Sequence, residues 1–372
     1  MVPTDSLFRL IDASLQADYS GVRRIANELA NSINATEPAE AKRLKSLIRK
    51  RGVPLRSSGY SETLPSDPKS RLPLVEEVPW PVTPAFLDEM SKNVFSTFIS
   101  DAVNIEKLVK HGLAGRLNML LYGPPGTGKT LVAGHVAAQL RKPLYVVRLE
   151  SVISSLLGDT AKNLRSIFEF VPAKGGVLLL DEVDAVAKLR DDKHEVGELK
   201  RVVNTLIQGL DSLDDASVVL AATNHPNLLD PAIWRRFPYK IECNLPNIEV
   251  RNVLWKHFLF NDSDQSTIIP GLAKISDGLS GADIESISLA ARRRSVLNDE
   301  EIFVTGIVKS ILESHTGRTV LPYASNIDGS EKKRLSMKLH LEKKLSKAEV
   351  ARLLGVSRQS VSGYLRGENG KH

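Results

Sequence analysis

The stretch Gly123-Pro124-Pro125-Gly126-Thr127-Gly128-Lys129-Thr130 decides the fold of this 372-residue chain. It fits the spacing G-x-x-x-x-G-K-[ST], follows the apolar run Asn118 to Tyr122, and opens a helical stretch from Leu131 to Leu140. That is the strand, loop and helix context a phosphate-binding loop requires. Its glycines let the backbone close around phosphate oxygens, so that N–H groups and a helix N-terminus face the anion. Lys129 is placed to reach the terminal phosphates and the Thr130 hydroxyl to coordinate Mg²⁺. The loop from Gly123 through Leu131 is therefore a candidate site for ATP and its magnesium.

Downstream, Gly176-Val-Leu-Leu-Leu-Asp181-Glu182 delivers two carboxylates at the end of an apolar run. In an open parallel sheet that end lies beside the phosphate loop. Asp181 can join the magnesium shell, and Glu182 is suited to polarise an attacking water. The surrounding texture agrees. Apolar runs at Leu117 to Tyr122, Leu144 to Leu149, Gly176 to Leu180, Ser217 to Ala222 and Tyr239 to Cys243 alternate with amphipathic helical stretches. Such alternation predicts an α/β fold, a parallel sheet covered by helices on both faces. From about Val250 to His315 only helical periodicity remains, which predicts a helical lid after the sheet.

Working outward to the N-terminus, Leu7 to about Arg51 shows three short pieces of helical periodicity, a small bundle over residues 1–51. Residues 52–84 carry seven prolines from Pro54 to Pro84 and several serines, and read as a largely extended linker. The sheet subdomain is then expected over 85–248, the lid over 249–318 and a C-terminal module over 319–372. With 42% hydrophobic and 25% charged residues, the composition excludes a disordered chain or a disulfide scaffold. No apolar run approaches the roughly 18 residues that span a bilayer. The first twenty residues are polar, and the single cysteine, Cys243, fits a reducing cytoplasm. The net charge of +6 is concentrated: Glu331 to His372 holds eleven Lys or Arg against four Glu, a local balance of +7. A charge gathered in one terminal segment suggests an anionic partner.

Over roughly Pro84 to His315 the sequence resembles an AAA ATPase of the AAA+ superfamily. Ala222-Thr-Asn224 resembles the sensor 1 segment, where a polar side chain orients water near the γ-phosphate. Leu229-Asp-Pro-Ala-Ile-Trp-Arg235-Arg236-Phe237 resembles the arginine-finger segment, and Ser280-Gly281-Ala282-Asp283 the start of the lid helix beside the nucleotide in the subgroup without a sensor 2 arginine. The resemblance implies that Arg235 and Arg236 act on a neighbouring subunit, so that hydrolysis needs a closed ring, usually a hexamer. It also implies a protein substrate threaded past a pore loop, here Leu156-Leu157-Gly158, with an aliphatic residue where the family carries an aromatic. The alternative for Leu156 and Leu157 is packing on the next helix. Asp191 to Glu198, which contains His194, occupies the second pore-loop position.

The basic tail resembles a helix-turn-helix from Lys347 to Leu365, with Ala351 facing the second helix, Gly355 in the turn, Ser357 as cap, and Val350, Leu354, Val356, Val361 and Tyr364 in the core. Arg358, Gln359, Ser360 and Ser362 are then the candidate DNA contacts, with Lys332, Lys333, Arg334, Lys343, Lys344 and Arg366 neutralising the backbone. The other use of such a module is subunit contact. Two functions fit. One is a ring-forming, Mg²⁺-dependent ATPase that remodels a protein partner and carries a DNA-binding tail, resembling bacterial AAA proteins of plasmid maintenance or phage defence whose partners include a separate protease. The other is a DNA-binding regulator or loader switched by ATP without threading protein.

Overall fold

The computed structural model describes residues 25–26, 28–30, 32, 41, 64–67, 73–154, 160–185, 196–263, 267–315, 318–322 and 327–366. Two compact units divide the chain, Met1–Glu62 and Thr63–His372. In the first, the described residues are helical, with Ile25, Leu29, Ala30 and Ala41 buried. Ile25 and Leu29 keep the four-residue spacing of one helix face. The remaining positions of the expected bundle lie outside the described residues.

The second unit is built on a six-stranded sheet: β1 (Glu76–Val78), β2 (Leu117–Tyr122), β3 (Leu144–Arg148), β4 (Val177–Asp181), β5 (Val218–Thr223) and β6 (Tyr239–Glu242), in the spatial order β1-β3-β4-β5-β2-β6. The last five are parallel, with Leu117 and Val177 both in register with Val218. β5 is buried along its whole length, because it lies inside the sheet with both faces covered. Alternation divides its side chains. Val219 and Ala221 join Leu178, Leu180, Ile167, Phe168 and Leu206 in one core, and Val218, Leu220 and Ala222 join Met119, Leu179, Val132, Val136 and Phe98 in the other.

The covering helices are α1 (Glu89–Val103), α2 (Ile105–Lys110), α3 (Lys129–Leu140), α4 (Leu149–Ser154), α5 (Thr160–Ala173), α6 (Val196–Ser212) and the single turn α7 (Pro231–Trp234). Gly209 of α6 sits so close to α5 that a Cβ there would lie 2.3 Å from the Phe168 ring.

Part of the proline-rich segment read as an extended linker belongs to the sheet. β1 pairs antiparallel with β3, Glu76 opposite Val146. Beyond it Trp80 Nε1 donates to the Lys142 carbonyl at 2.9 Å, and Pro81 packs on Gly134, where a Cβ would fall 2.8 Å from its ring. Leu74 and Val75, flanked by prolines at 73 and 79, bury themselves and hold the strand at the edge. Prolines suit an edge because they withhold only a donor the sheet does not need there.

The lid comprises α8 (Ile248–Phe260), α9 (Ile269–Ile275), α10 (Gly281–Asn298) and α11 (Val304–Glu313). The C-terminal helices follow: α12 (Gly329–Met337), continued by a π-helical turn over Lys338–Glu342, then α13 (Lys347–Leu354) and α14 (Arg358–Arg366). Ser346 and Glu349 form a reciprocal cap on α13, and Gly355 ends it in the left-handed region at φ 60°. Lid and tail share one apolar core. Trp255, Leu272, Ile284, Ile307 and Ile311 of the lid cluster with Leu335, Leu339, Val350, Leu353, Leu354 and Val361.

Candidate nucleotide-binding site

The phosphate loop leaves β2 and enters α3 as the motif requires. Gly123, Gly126 and Gly128 have φ of 142°, 74° and 90°, a region that glycine occupies without the steric cost other residues carry. At Gly123 space adds a second demand, since a Cβ would lie 2.2 Å from the Cys243 carbonyl oxygen at the end of β6. The Thr127 hydroxyl closes the loop by donating to the Pro124 carbonyl at 2.8 Å. The Lys129 ammonium donates to the carbonyls of Gly123 at 2.8 Å and Pro124 at 2.7 Å. Burial lowers its pKa, opposed by the Asp181 and Asp184 charges. The first N–H groups of α3 point into the loop without helical partners, as at any helix N-terminus, and with Lys129 they fit a polyphosphate.

One cleft of about 670 Å³ gathers Pro125 through Leu131, Asp181, Glu182, Asn224, Gly281 and Ala282. Gly123 and Pro124 do not line it. The lining also includes the apolar side chains of Phe86, Leu87, Val250, Leu254 and Phe258, of which sequence reasoning singled out none for the site, along with polar ones such as Asn247 and Glu285. The cleft thus joins the phosphate loop to apolar side chains that suit a ring system. The lid meets the loop directly: the Ala282 N–H donates to the Gly126 carbonyl at 3.1 Å, and a Cβ on Gly126 would lie 2.6 Å from Ser280 Oγ.

Asp181 ends β4, and its Oδ1 accepts the Glu182 N–H at 3.0 Å. Burial raises its pKa against the opposing pull of that N–H, Lys129 and Arg148. Glu182 adopts φ 56°, uncommon for a residue with a side chain and a form of local strain that functional sites hold. Burial raises its carboxyl above the usual range, and a hydrogen bond with Glu150, then the charges of Glu150, Asp181 and Asp184, push it the same way. Thr130, Asp181 and Glu182 also border a second depression of about 530 Å³ with Glu76, Arg148 and Glu150. The Thr130 hydroxyl and the Asp181 carboxylate are hard oxygen donors and fit Mg²⁺. Glu150 was not anticipated; its signal was its place just beyond the carboxyl end of β3, where ligands of open α/β sheets bind. Asp184 was also missed. It is buried and accepts the Thr223 hydroxyl at 2.8 Å, anchoring the end of β5 beside Asn224.

Neither Arg235 nor Arg236 lines the cleft, and the two differ. Arg235 is exposed. Arg236 is tied down, with Nη2 and Nε donating to Asp211 at 3.1 and 3.4 Å and Nη1 to the Ala232 carbonyl at 3.0 Å. Arg116 donates to the same Asp211 at 2.9 Å. The hydrogen bond from Arg236 and the charges of both arginines hold the Asp211 carboxyl below the usual range. Leu156, Leu157, Gly158 and His194 lie outside the described residues.

In the tail, Arg358 and Gln359 are exposed on the first turn of α14, while Ser360 and Ser362 are half-buried. The Ser357 oxygen caps that helix by accepting the Ser360 N–H at 3.0 Å, and the two hydroxyls pair at 2.8 Å. Arg334 is engaged by Glu331 at 2.7 Å and Glu313 at 3.5 Å. Tyr364 is only half-buried, and the adjacent Leu365 packs against the core instead. Among the described residues no helix is long and apolar enough to cross a membrane.

Comparison with known proteins agrees with this geometry. Residues 119–245 match the family described as ATPase family associated with various cellular activities (AAA), and residues 337–370 match the helix-turn-helix family. An uncharacterized AAA family ATPase of Sinorhizobium fredii is 49% identical over 132 residues, 36% of this chain and 40% of that protein. A proteasome-activating nucleotidase of Methanopyrus kandleri is 33% identical over 225 residues, 58% of this chain and 51% of its own length. Proteasome-activating nucleotidase 1 of Haloferax volcanii is 32% identical over 232 residues, 60% of this chain and 57% of its own. The chain thus spans about half the length of the curated relatives it matches. These relatives leave the plasmid-maintenance and defence setting without support. Taken with the loop, the paired carboxylates and the C-terminal helices, the matches establish that this chain carries an AAA-family ATPase domain followed by a helix-turn-helix domain.

Proposed function

We propose that the protein is an ATPase that works as a closed ring, a hexamer by analogy, to remodel or unfold a protein partner, and that its C-terminal helices bind duplex DNA. The observation that carries the catalytic part is the meeting in one cleft of Lys129, Thr130, Asp181, Glu182 and Asn224. Thr130 and Asp181 would hold Mg²⁺, which when bound supplies charge neutralisation for the phosphates. Lys129 binds the terminal phosphates, Asn224 orients water, and the Glu182 carboxylate accepts the proton of the water that attacks the γ-phosphorus as the bond to the β-phosphate oxygen breaks. Arg235, exposed and clear of its own subunit's cleft, supports action on a neighbour's site, whereas Arg236 would have to leave Asp211 to do the same. The named activity of the proteasome-activating nucleotidases supports a protein substrate, and a separately encoded protease would be the natural recipient. By analogy we assign 1–51 as a partner-docking bundle, 85–248 together with β1 from the segment before it, and 249–318, as the two ATPase subdomains, 319–372 as the DNA module, and the cytoplasm as its place.

A second reading, a DNA regulator switched by ATP, is favoured by one observation: the helix-turn-helix is built into the core of the lid. Steady-state ATPase rates measured alone, with unfolded protein and with duplex DNA separate the two. Stimulation by unfolded protein supports the remodeller, and stimulation by DNA alone supports the switch. Glu182→Gln should bind ATP and lose about 10²- to 10⁴-fold in turnover; normal turnover in that variant would remove Glu182 from its assigned role.

A further inference from the structure

A carboxylate in the lid joins the turn that touches the phosphate loop to the segment that leads into the helix-turn-helix. Asp283, buried, belongs to the capping box of α10: its Oδ2 accepts the Ser280 N–H at 2.9 Å and the Ser280 hydroxyl at 2.7 Å. The same turn places Ala282 N–H on the Gly126 carbonyl. The other oxygen of Asp283 accepts the hydroxyl of Thr319, on the strap between lid and tail. That strap is fastened again next door, where the Val320 N–H donates to Ser314 Oγ at 2.8 Å and the Ser310 hydroxyl to the Val320 carbonyl.

Beyond the strap the tail is packed on the lid. Leu353 of α13 lies over Gly271 of α9, its methyl carbons 3.1 Å from where a Cβ would stand. Lys274 of α9 donates to the Lys344 carbonyl at 3.3 Å and pairs with Glu349 at 3.8 Å, and Lys309 of α11 pairs with Glu331 of α12 at 3.2 Å. Packed cores of this kind shift between discrete arrangements and do not deform gradually. A lid that moves with its contact to the phosphate loop must therefore carry α14 with it.

We propose that nucleotide bound at the phosphate loop sets the DNA affinity of α14 through the Gly126–Ala282 contact, Asp283 and Thr319, and that DNA sets nucleotide affinity in return. This rests on the reading that the C-terminal helices bind duplex DNA. Linkage makes the two effects equal, since each ligand changes the other's dissociation constant by the same factor.

The test uses the full chain, ATPγS as the nucleotide, and a fluorescent duplex of random sequence about 30 base pairs long at low salt, where phosphate contacts dominate. DNA dissociation constants with and without ATPγS should differ about fivefold or more, and the ATPγS constant should shift by the same factor when DNA is added. Thr319→Val, which removes the hydroxyl and keeps the shape, and Lys274→Met, which removes the polar tie from α9 to Lys344 and Glu349 while leaving the Leu353–Gly271 packing in place, should each bring both factors toward one while both ligands still bind. Equal DNA affinity in every nucleotide state of the unaltered protein would overturn the coupling and leave the DNA reading intact. Undiminished coupling in both variants would overturn the route and point to ring assembly, which raises DNA affinity through effective concentration alone. Absence of DNA binding in any nucleotide state, with ATPγS bound normally, would refute the DNA reading and the proposal with it.

Discussion

Replacing Leu353 by alanine tests whether lid and helix-turn-helix are one body. Leu353 is 1% exposed and belongs to the cluster that contains Trp255. Leu→Ala in a core costs about 2–5 kcal/mol, more where the site cannot collapse into the hole. Here collapse is resisted. The residue beneath is Gly271, which has no side chain to fill the space, and the surrounding lid and tail residues form one packed cluster. We expect a loss of about 3–4 kcal/mol, from the middle of that range upward. The assay is urea unfolding followed by Trp255 fluorescence in a Trp80→Phe, Trp234→Phe background. Trp255 is fully buried in the lid, with Nε1 donating to Ser276 Oγ at 2.9 Å. If the core is shared, a change made in the tail must lower the midpoint that Trp255 reports. A Trp255 transition that moves by less than about 0.5 kcal/mol, the scatter expected of independent sites, would refute the shared core even if the tail itself came apart.

Three further outcomes follow from particular side chains. Arg235→Ala and Arg236→Ala should each bind ATP and lose about 10³- to 10⁵-fold in hydrolysis; mixing either with Glu182→Gln should restore part of it, and no recovery in the mixture would count against action between subunits. Arg358→Ala with Gln359→Ala should weaken DNA binding and leave the DNA-free ATPase rate as it was, which electrophoretic mobility shift and phosphate release measure side by side. Burial raises the Cys243 thiol from 9.0 to about 11. The unfolded chain therefore loses this proton first, so the thiol's contribution to stability is whole below pH 9 and is lost as pH rises through about 11. Unfolding midpoints measured from pH 8 to 11 should decline for the natural protein and less for Cys243→Ala; parallel curves would show that the thiol does not take part.

Much of the nucleotide site is legible in the linear order of residues, because a phosphate loop is made by one short segment whose glycines act through their backbone and whose lysine and threonine follow at fixed positions in it. The same is true of strands whose unbroken apolar runs announce burial on both faces, and of the turn at Gly355 between two periodic stretches. Periodicity says which face of an element is buried and is silent about what covers it. For that reason only the tertiary structure decided that Glu150 meets Glu182, that Asp211 holds Arg236 while Arg235 is exposed, and that Phe86 and Phe258 line the cleft. It also drew Glu76–Val78 out of a proline-rich segment into the sheet, since an edge strand is made by its partner as much as by its own residues. The tail shows the limit most clearly: its sequence resembles a helix-turn-helix, but its union with the lid rests on contacts between Leu353 and Gly271, Lys274 and Glu349, and Thr319 and Asp283. Those pairs are far apart in the chain, and no local pattern encodes them.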